Sequence, residues 1–338
     1  MHRKPGDRRN DSPYEMDGSS LPLVSVVTPA YNEEEYLGEC IESVLAQSYP
    51  NWDYTILNNC STDGTLAIAQ KYAARDSRIR VISNSTSCPA VANFNNALRQ
   101  ISSASKYCKM VLADDWIFPE CLERMVAVME AHPSIGIVGA YGLQGKLVLW
   151  QGLPYPSEVV SGREICRQRL LGGPYVFGSP TSLLFRSGLV LSRDAFYNES
   201  NPHAADSEAC FELLKGSDFG FVHQVLTFSR ERPGSLFQAS RELNASAADI
   251  LHELVAYGPY YLAPDEGAKC LDLILSKYYD FLATSLLQGR DRSFWDYHRG
   301  KLKENGIGFS YAWLASALSR KLLHRFRVPS GRGRQWGL

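Results

Sequence analysis

The chain has 338 residues, enough to bury one large core or a domain with an appendage. Hydrophobic residues make up 45% and charged residues 21%, with a formal net charge of -1, which gives no basic surplus for neutralising nucleic-acid phosphates. The eight cysteines form no C-x-x-C pair, so zinc spacing is absent and a disulfide framework is not expected; a reducing cytoplasm is the expected compartment. Residues 1–21 are a polar tail without the apolar core of a signal peptide. No apolar run reaches the ~20 residues that a membrane-spanning helix needs.

From residue 23 to 141, short β-branched runs alternate with longer helical patterns. Strands are predicted at 24–28, 54–57, 80–82, 107–113 and 135–140. Helices are predicted at 33–47, 65–74, 90–101 and 119–130, with Glu33, Glu34 and Glu35 in the first turn of the first and Pro119 opening the last. Further on come a hairpin arm at 146–150, a Gly/Pro-rich loop at 172–180, a helix at 206–215 and a strand at 219–228. Helical stretches near 240–257, 267–288, 293–304 and 310–326 close the chain. This order predicts an α/β fold, with a mostly parallel sheet covered on both faces and a C-terminal helical appendage. The expected boundaries are a tail at 1–21, an α/β domain at 22–236 and the appendage at 237–338.

Ligands of such sheets collect beyond the carboxyl ends of the strands. Three polar clusters fall there: Tyr31-Asn32-Glu33, the block from Asn58 through Asp63, and Asp114-Asp115. Their convergence implies one crevice. Two carboxylates leaving a buried strand suit Mg²⁺ or Mn²⁺, which take oxygen ligands and usually sit between one or two carboxylates and a diphosphate.

Residues 23–65, from Leu-Val-Ser-Val-Val-Thr-Pro-Ala-Tyr-Asn-Glu to Cys60-Ser-Thr-Asp-Gly-Thr65, resemble the opening of family 2 glycosyltransferases, and the resemblance runs to about residue 236. It implies a GT-A fold (the Rossmann-like nucleotide-diphospho-sugar transferase sheet) and an inverting transfer of sugar from a nucleoside diphosphate to a hydroxyl acceptor. The acceptor would belong to a surface polysaccharide or a lipid-linked glycan. Asp115 would contact the cation, with Asp114 beside it on ribose or phosphate. Asp206 stands where the family carries its catalytic base, although Asp at a helix start is also a favoured cap. Pro29, Tyr31, Asn32, Glu33, Asn58 and Asp63 would line the donor pocket. Arg230 and Arg232 would clamp phosphate oxygens, while Gly178 and Glu208 would border the acceptor.

One departure stands out. The block before Ser61 ordinarily begins with an aspartate that accepts a base N–H, and this chain has Asn58-Asn59 instead. An amide can still accept that bond, so the base stays open among UDP, the commonest, and dTDP, GDP or CDP. Two rivals remain: a non-catalytic nucleotide-sugar-binding subunit and a sugar nucleotidyltransferase. The second would favour a Gly-rich basic loop after the first strand, which residues 29–33 lack. In the last helix Tyr311, Leu314, Leu318 and Leu322 are expected on one side, with Arg320, His324 and Arg327 opposite. Packing onto its own domain is the first expectation for that stripe. Peripheral contact with the inner face of the plasma membrane, aided by Arg332 and Arg334, is the alternative.

Overall fold

The computed structural model describes residues 21–232 and 236–327; the tail before them, residues 233–235 and the Arg332–Arg334 region lie outside the described residues. Strands β1 (Val24–Ala30), β2 (Trp52–Asn58), β3 (Ile79–Ser83) and β4 (Tyr107–Met110) pair in parallel, separated by α1 (Leu37–Leu45), α2 (Thr65–Ala73) and α3 (Ala90–Leu98). Every residue of β1 is buried, as a strand covered on both faces requires. Helix α1 buries Leu37, Cys40, Ile41 and Val44, one stripe of a 3.6-residue period. It begins four residues later than expected, so Glu33 to Glu35 form the turn before it. Leu37 N–H donates to the Glu33 carbonyl at 2.9 Å.

The second half is less regular. After β5 (Trp116–Ile117) and α4 (Cys121–Ala131) come β6 (Ile135–Gln144), β7 (Leu147–Leu149), β8 (Val159–Val160) and α5 (Gly162–Leu170). Pro119 therefore precedes α4 instead of opening it. A 3₁₀ turn at Pro180–Ser182 leads to β9 (Leu184–Arg186), α6 (Ser187–Leu191), α7 (Ala205–Leu213) and β10 (Asp218–Phe228). The sheet runs β3-β2-β1-β4-β9-β6-β10-β5, with β7 on β6 and β8 on β10. Strand β9 is antiparallel to both neighbours, with Phe185 opposite Cys108 and Ile137. Three residues are too short to show a period, so the sequence predicts no strand there.

Helices α8 (Leu236–Leu243), α9 (Ser246–Tyr261), α10 (Pro264–Leu287), α11 (Arg292–Glu304) and α12 (Tyr311–Arg327) follow. Leu254, Tyr257 and Tyr261 of α9 join the core beneath the sheet. Tyr257 stacks on Phe211 of α7 with ring centres 4.8 Å apart, and Arg169 of α5 meets Glu253 at 3.0 Å. The later helices surround a separate cluster that includes Tyr278, Leu282 and Phe294. On α12, Leu314 and Ala317 are buried, whereas Tyr311 and Leu322 are exposed. The expected stripe is thus rotated, and the side chains of His324 and Arg327 lie outside the described set.

One buried cation fixes the floor of the crevice. Lys109 in β4 is fully buried, and its ammonium donates to the carbonyls of Thr181 (2.7 Å) and Leu183 (3.2 Å). That ties the 3₁₀ turn to the parallel sheet. Lys109→Met keeps the volume and strands two buried carbonyls, each worth roughly 1–3 kcal/mol when left unpaired. A drop of about 2 kcal/mol or more in unfolding free energy is expected by urea denaturation, and an unchanged midpoint would contradict the tie.

Candidate active site

The polar loops after β1 and β2 are sewn to each other. Asn32, held at φ 53°, accepts the Thr62 N–H at 2.8 Å and donates its own N–H to Ser61 Oγ at 3.1 Å. Asp63 accepts from Glu34 N–H (3.1 Å) and from Thr65 N–H (3.0 Å), while Thr65 Oγ1 accepts the Glu33 N–H at 2.7 Å. Most of the first two motifs is therefore a clasp that fixes loop shape. Tyr31 is left half exposed at the rim, a ring with a free face. Pro29 is buried in β1 opposite Leu57.

Asn58 and Asn59 are both buried, and their amides are engaged. Asn58 accepts Ser61 N–H (3.1 Å) and donates to Ser83 Oγ (3.2 Å). Asn59 donates to the Cys88 carbonyl (2.8 Å) and accepts from Asn84 (2.8 Å) and Cys88 N–H (3.1 Å). In this conformation neither amide is free to meet a base. The rim beside them, Ser85 to Ser87, remains open to solvent.

Acidic groups crowd the carboxyl edge beyond β1 and β4. Asp115 is 4% exposed, and both its oxygens are taken: Thr181 Oγ1 donates at 2.6 Å and Arg230 N–H at 3.0 Å. Burial, then the neighbouring Asp114 charge, push its carboxyl upward against those hydrogen bonds. A carboxylate so enclosed is badly placed for the direct cation contact expected of it. Asp114 is the more open of the two and pairs with Arg232 Nε at 2.5 Å. Arg232 also pairs with Glu33, whose carboxyl burial pushes up to about 7 and whose Oε2 has no hydrogen-bond partner among the described residues. Arg230 lies over the rings of Tyr36 (4.4 Å) and Trp116 (5.1 Å) and pairs with Glu39. The tail of β10 thus brings both predicted arginines to the predicted carboxylates.

Asp206 differs from all of these. It sits in the first turn of α7 but not at its cap, which is Ala204 with no side-chain bond. The carboxylate is partly exposed and accepts no hydrogen bond from any described residue. Its charge acts on the Tyr175 and Tyr197 phenols and the Cys210 thiol and helps raise all three. Desolvation alone pushes it up to about 7. Tyr175 lies in the loop that ends at Thr181, whose hydroxyl donates to Asp115. Gly178 within it has φ 87°, and a Cβ there would meet Ser182 at 2.6 Å, so its contribution is backbone shape. Glu208 points the other way. It accepts from Asn201 (2.6 Å) and Asn198 (2.7 Å) and pairs with His252 of α9 at 2.9 Å, well removed from the acceptor role expected of it.

Thr181, Ser229 and Lys109 had no distinctive spacing in the sequence; only the folded turn shows that they support Asp115. Trp150 is a further addition, with a buried indole N–H that has no partner among the described residues and its ring against Gly142 and Gly178.

A mostly parallel sheet with carboxylates and arginines at its carboxyl edge is the GT-A architecture, and the comparisons with known proteins agree. The model of glycosyl transferase family 2 matches residues 25–190. EpsE of Bacillus subtilis is 31% identical over 247 residues, covering 69% of this chain and 87% of that protein. The chain belongs to glycosyl transferase family 2 and is a glycosyltransferase. Among solved structures, Staphylococcus aureus TarS 1–349 aligns with a TM-score of 0.62 at 18% identity, over 90% of this chain and 91% of that one. The mannosyltransferase PcManGT of Pyrobaculum calidifontis, solved with GDP-Man and Mn²⁺, gives 0.52 at 15% identity over 90% and 88%. Those two likenesses are of fold.

The raised Asp206 carboxyl has a stability signature. Its folded value of about 7 lies above the ordinary ~3.9 of an unfolded aspartate. Both states are neutral below the lower value, and the folded state is progressively penalised as pH rises toward 7. Asp206→Asn, neutral throughout, is expected to be more stable than the parent by a few kcal/mol at pH 8 and by less at pH 5. Chemical denaturation at the two pH values measures the difference, and equal effects would show that Asp206 is well hydrated.

Proposed function

We propose that the chain is an inverting glycosyltransferase that moves one sugar from a nucleoside diphosphate, UDP before the others, to a glycan or lipid-linked hydroxyl. The observation that carries this reading is the Asp206 carboxylate, without a hydrogen-bond partner among the described residues, whose charge reaches Tyr175 of the loop that bonds Asp115 through Thr181. An ionised Asp206 takes the acceptor hydroxyl proton as that oxygen attacks the anomeric carbon. The bond from that carbon to the diphosphate breaks on the opposite face, so the configuration inverts. A general base with its value near ambient pH suits the task, being ionised often enough and still basic enough to pull.

On the donor side, Tyr31 offers a ring face to the base, and Glu33 meets the ribose hydroxyls once Arg232 lets it go. Arg230 and Arg232 then turn to the diphosphate oxygens, a geometry that guanidinium groups favour. Among the described residues no three His, Cys, Asp or Glu side chains gather into a metal cage. The donor set still fits a hard cation shared with a diphosphate, because one open carboxylate and phosphate oxygens are its ordinary ligands. Asp114 would hold it, with Asp115 positioning the turn from beneath. Bound there, Mg²⁺ or Mn²⁺ would neutralise charge building on the leaving diphosphate. Residues 22–236 would form the catalytic unit and 237–338 its helical support.

Relatives motivate the substrate class. TarS is a poly(ribitol-phosphate) β-N-acetylglucosaminyltransferase solved with UDP-GlcNAc, and TuaG of Bacillus subtilis is connected by name with teichuronic acid biosynthesis. A polyol or sugar hydroxyl of a surface polymer is accordingly the acceptor to try first. Among the described residues no helix is long and apolar enough to cross a membrane, so a lipid-linked acceptor would have to be met at the bilayer surface.

Two measurements test this. UDP with Mn²⁺ should raise the melting temperature more than either alone, and Asp114→Ala should remove the metal-dependent part. Equal shifts from all four nucleoside diphosphates would contradict the preference for UDP. Turnover of UDP-sugar should climb with pH through about 7 and fall by ~10²–10⁴-fold in Asp206→Asn. A variant as active as the parent would remove Asp206 from the chemistry.

A further inference from the structure

Charge is unevenly distributed along this chain. Residues 305–338 contain Arg320, Lys321, Arg325, Arg327, Arg332 and Arg334 and no acidic residue, although the whole chain carries -1. Helix α12, the described part of that segment, docks on α10 through Leu314 and Ala317, with Trp313 against Tyr279 at 5.6 Å. Arg320 is anchored to Asp280 at 2.8 Å. The face turned away from α10 holds Tyr311 (70% exposed), Leu322 (44%) and Leu323 (59%), with Ala312, Ala315 and Ser319 exposed between them. At a helical period these six fall within one third of the circumference, and none is charged. A solvated helix face is ordinarily the polar one.

Beside that ridge lies a cavity of about 520 Å³ between the end of α11 and the start of α12. Arg299, Lys303, Phe309 and Tyr311 line it together with the backbone of Gly306 and Gly308, and no carboxylate does. Neighbouring cations are neutralised, Lys301 by Glu304 and Arg292 by Asp296. Arg299 and Lys303 have no carboxylate partner among the described residues; Arg299 lies over the Phe309 ring at 5.1 Å. Tyr311 belongs both to the cavity wall and to the ridge, so the two features form one continuous surface.

We infer that this surface docks the protein on an anionic membrane. A lipid phosphate enters the cavity between Arg299 and Lys303, and Tyr311, Leu322 and Leu323 sink into the headgroup boundary. An apolar helix face flanked by cations is the pattern that lies in a bilayer interface and responds to anionic lipid. A second copy of the chain is disfavoured as occupant, because a self-complementary contact would set this unpaired cationic cavity against its equal. Nucleic acid would leave the apolar ridge without a counterpart. None of the residues involved belongs to the loops at the carboxyl edge of the sheet. Docking therefore stands independently of the transfer chemistry, while its use in meeting a lipid-linked acceptor rests on the reading above.

Co-sedimentation of the full chain with vesicles tests the inference without donor or acceptor. The chain should pellet with vesicles containing phosphatidylglycerol and stay in solution with pure phosphatidylcholine, and added salt should release most of it. Arg299→Ala and Lys303→Ala should each weaken binding about fivefold. Leu322→Ser with Leu323→Ser should weaken it further at high salt. Because all four side chains are outside the core, unchanged melting curves and unchanged donor turnover are expected for these variants. Failure to pellet, equal pelleting on both lipids, or parent-like binding by the cavity variants would overturn the inference. So would a dimer in light scattering that the leucine substitutions dissolve, since the ridge would then be covered by a second copy.

Discussion

Too much negative charge is packed at one edge of the sheet, and the tail of β10 exists in its present course to offset it. Glu33, Asp114 and Asp115 come from two loops that meet beyond β1 and β4, and burial and mutual repulsion press on their carboxyls. Two guanidinium groups answer them: Arg232 spans Glu33 and Asp114, and Arg230 gives its backbone N–H to Asp115. Residues 229–232 are thereby drawn across the crevice mouth, and the stacked Trp116 and Phe228 rings, 3.7 Å apart, hold the crossing in place. Such an arrangement is poised for exchange. A diphosphate brings the anionic oxygens that can take over the arginines, and a cation can take over the carboxylate that they release.

Asp206 follows the opposite rule. Among the described residues no cation pairs with it and no donor bonds it, and desolvation alone raises its carboxyl. Such a group needs a rigid mount, which the later helices supply. Burial pulls Glu208 upward, yet bonds from His252, Asn198 and Asn201 more than compensate and hold it ionised. Tyr261 donates to the Phe211 carbonyl at 2.6 Å, further securing α7 on α9. One turn of α7 thus carries a carboxylate without a described partner, Asp206, and a fully bonded one, Glu208, that ties it to α9. The helices after residue 236 thereby help hold the turn that carries Asp206, the base of the proposed mechanism.

Much of this was legible in the residues. Continuous β-branched runs marked the parallel strands, and turn residues after them marked the crevice, because burial on both faces and ligand binding at strand ends leave those patterns directly. What the sequence could not show was which member of a polar cluster faces the ligand. Asn32, Asn58 and Asp63 turned out to bond to neighbouring loops, and Asp115 to a threonine sixty-six positions away. Glu208 lies two residues from Asp206, a spacing that sends the two side chains to different sides of a helix, but its partner His252 was invisible until α9 was placed. Strand β9 left no periodic trace for the same reason that it matters, being a three-residue insertion that carries Thr181 to the sheet.

Central to the account is that Asp114, Arg230 and Arg232 hold the diphosphate on one side of a sugar whose other face looks toward Asp206. A crystal structure with UDP and Mn²⁺ addresses this most directly. Arg232 should have left Asp114 for the phosphate oxygens, the metal should lie on Asp114, and the open space beyond the β-phosphate should end at the Asp206 carboxylate. A nucleotide seated elsewhere, or an Arg232 still paired with Asp114 beside a bound diphosphate, would contradict it.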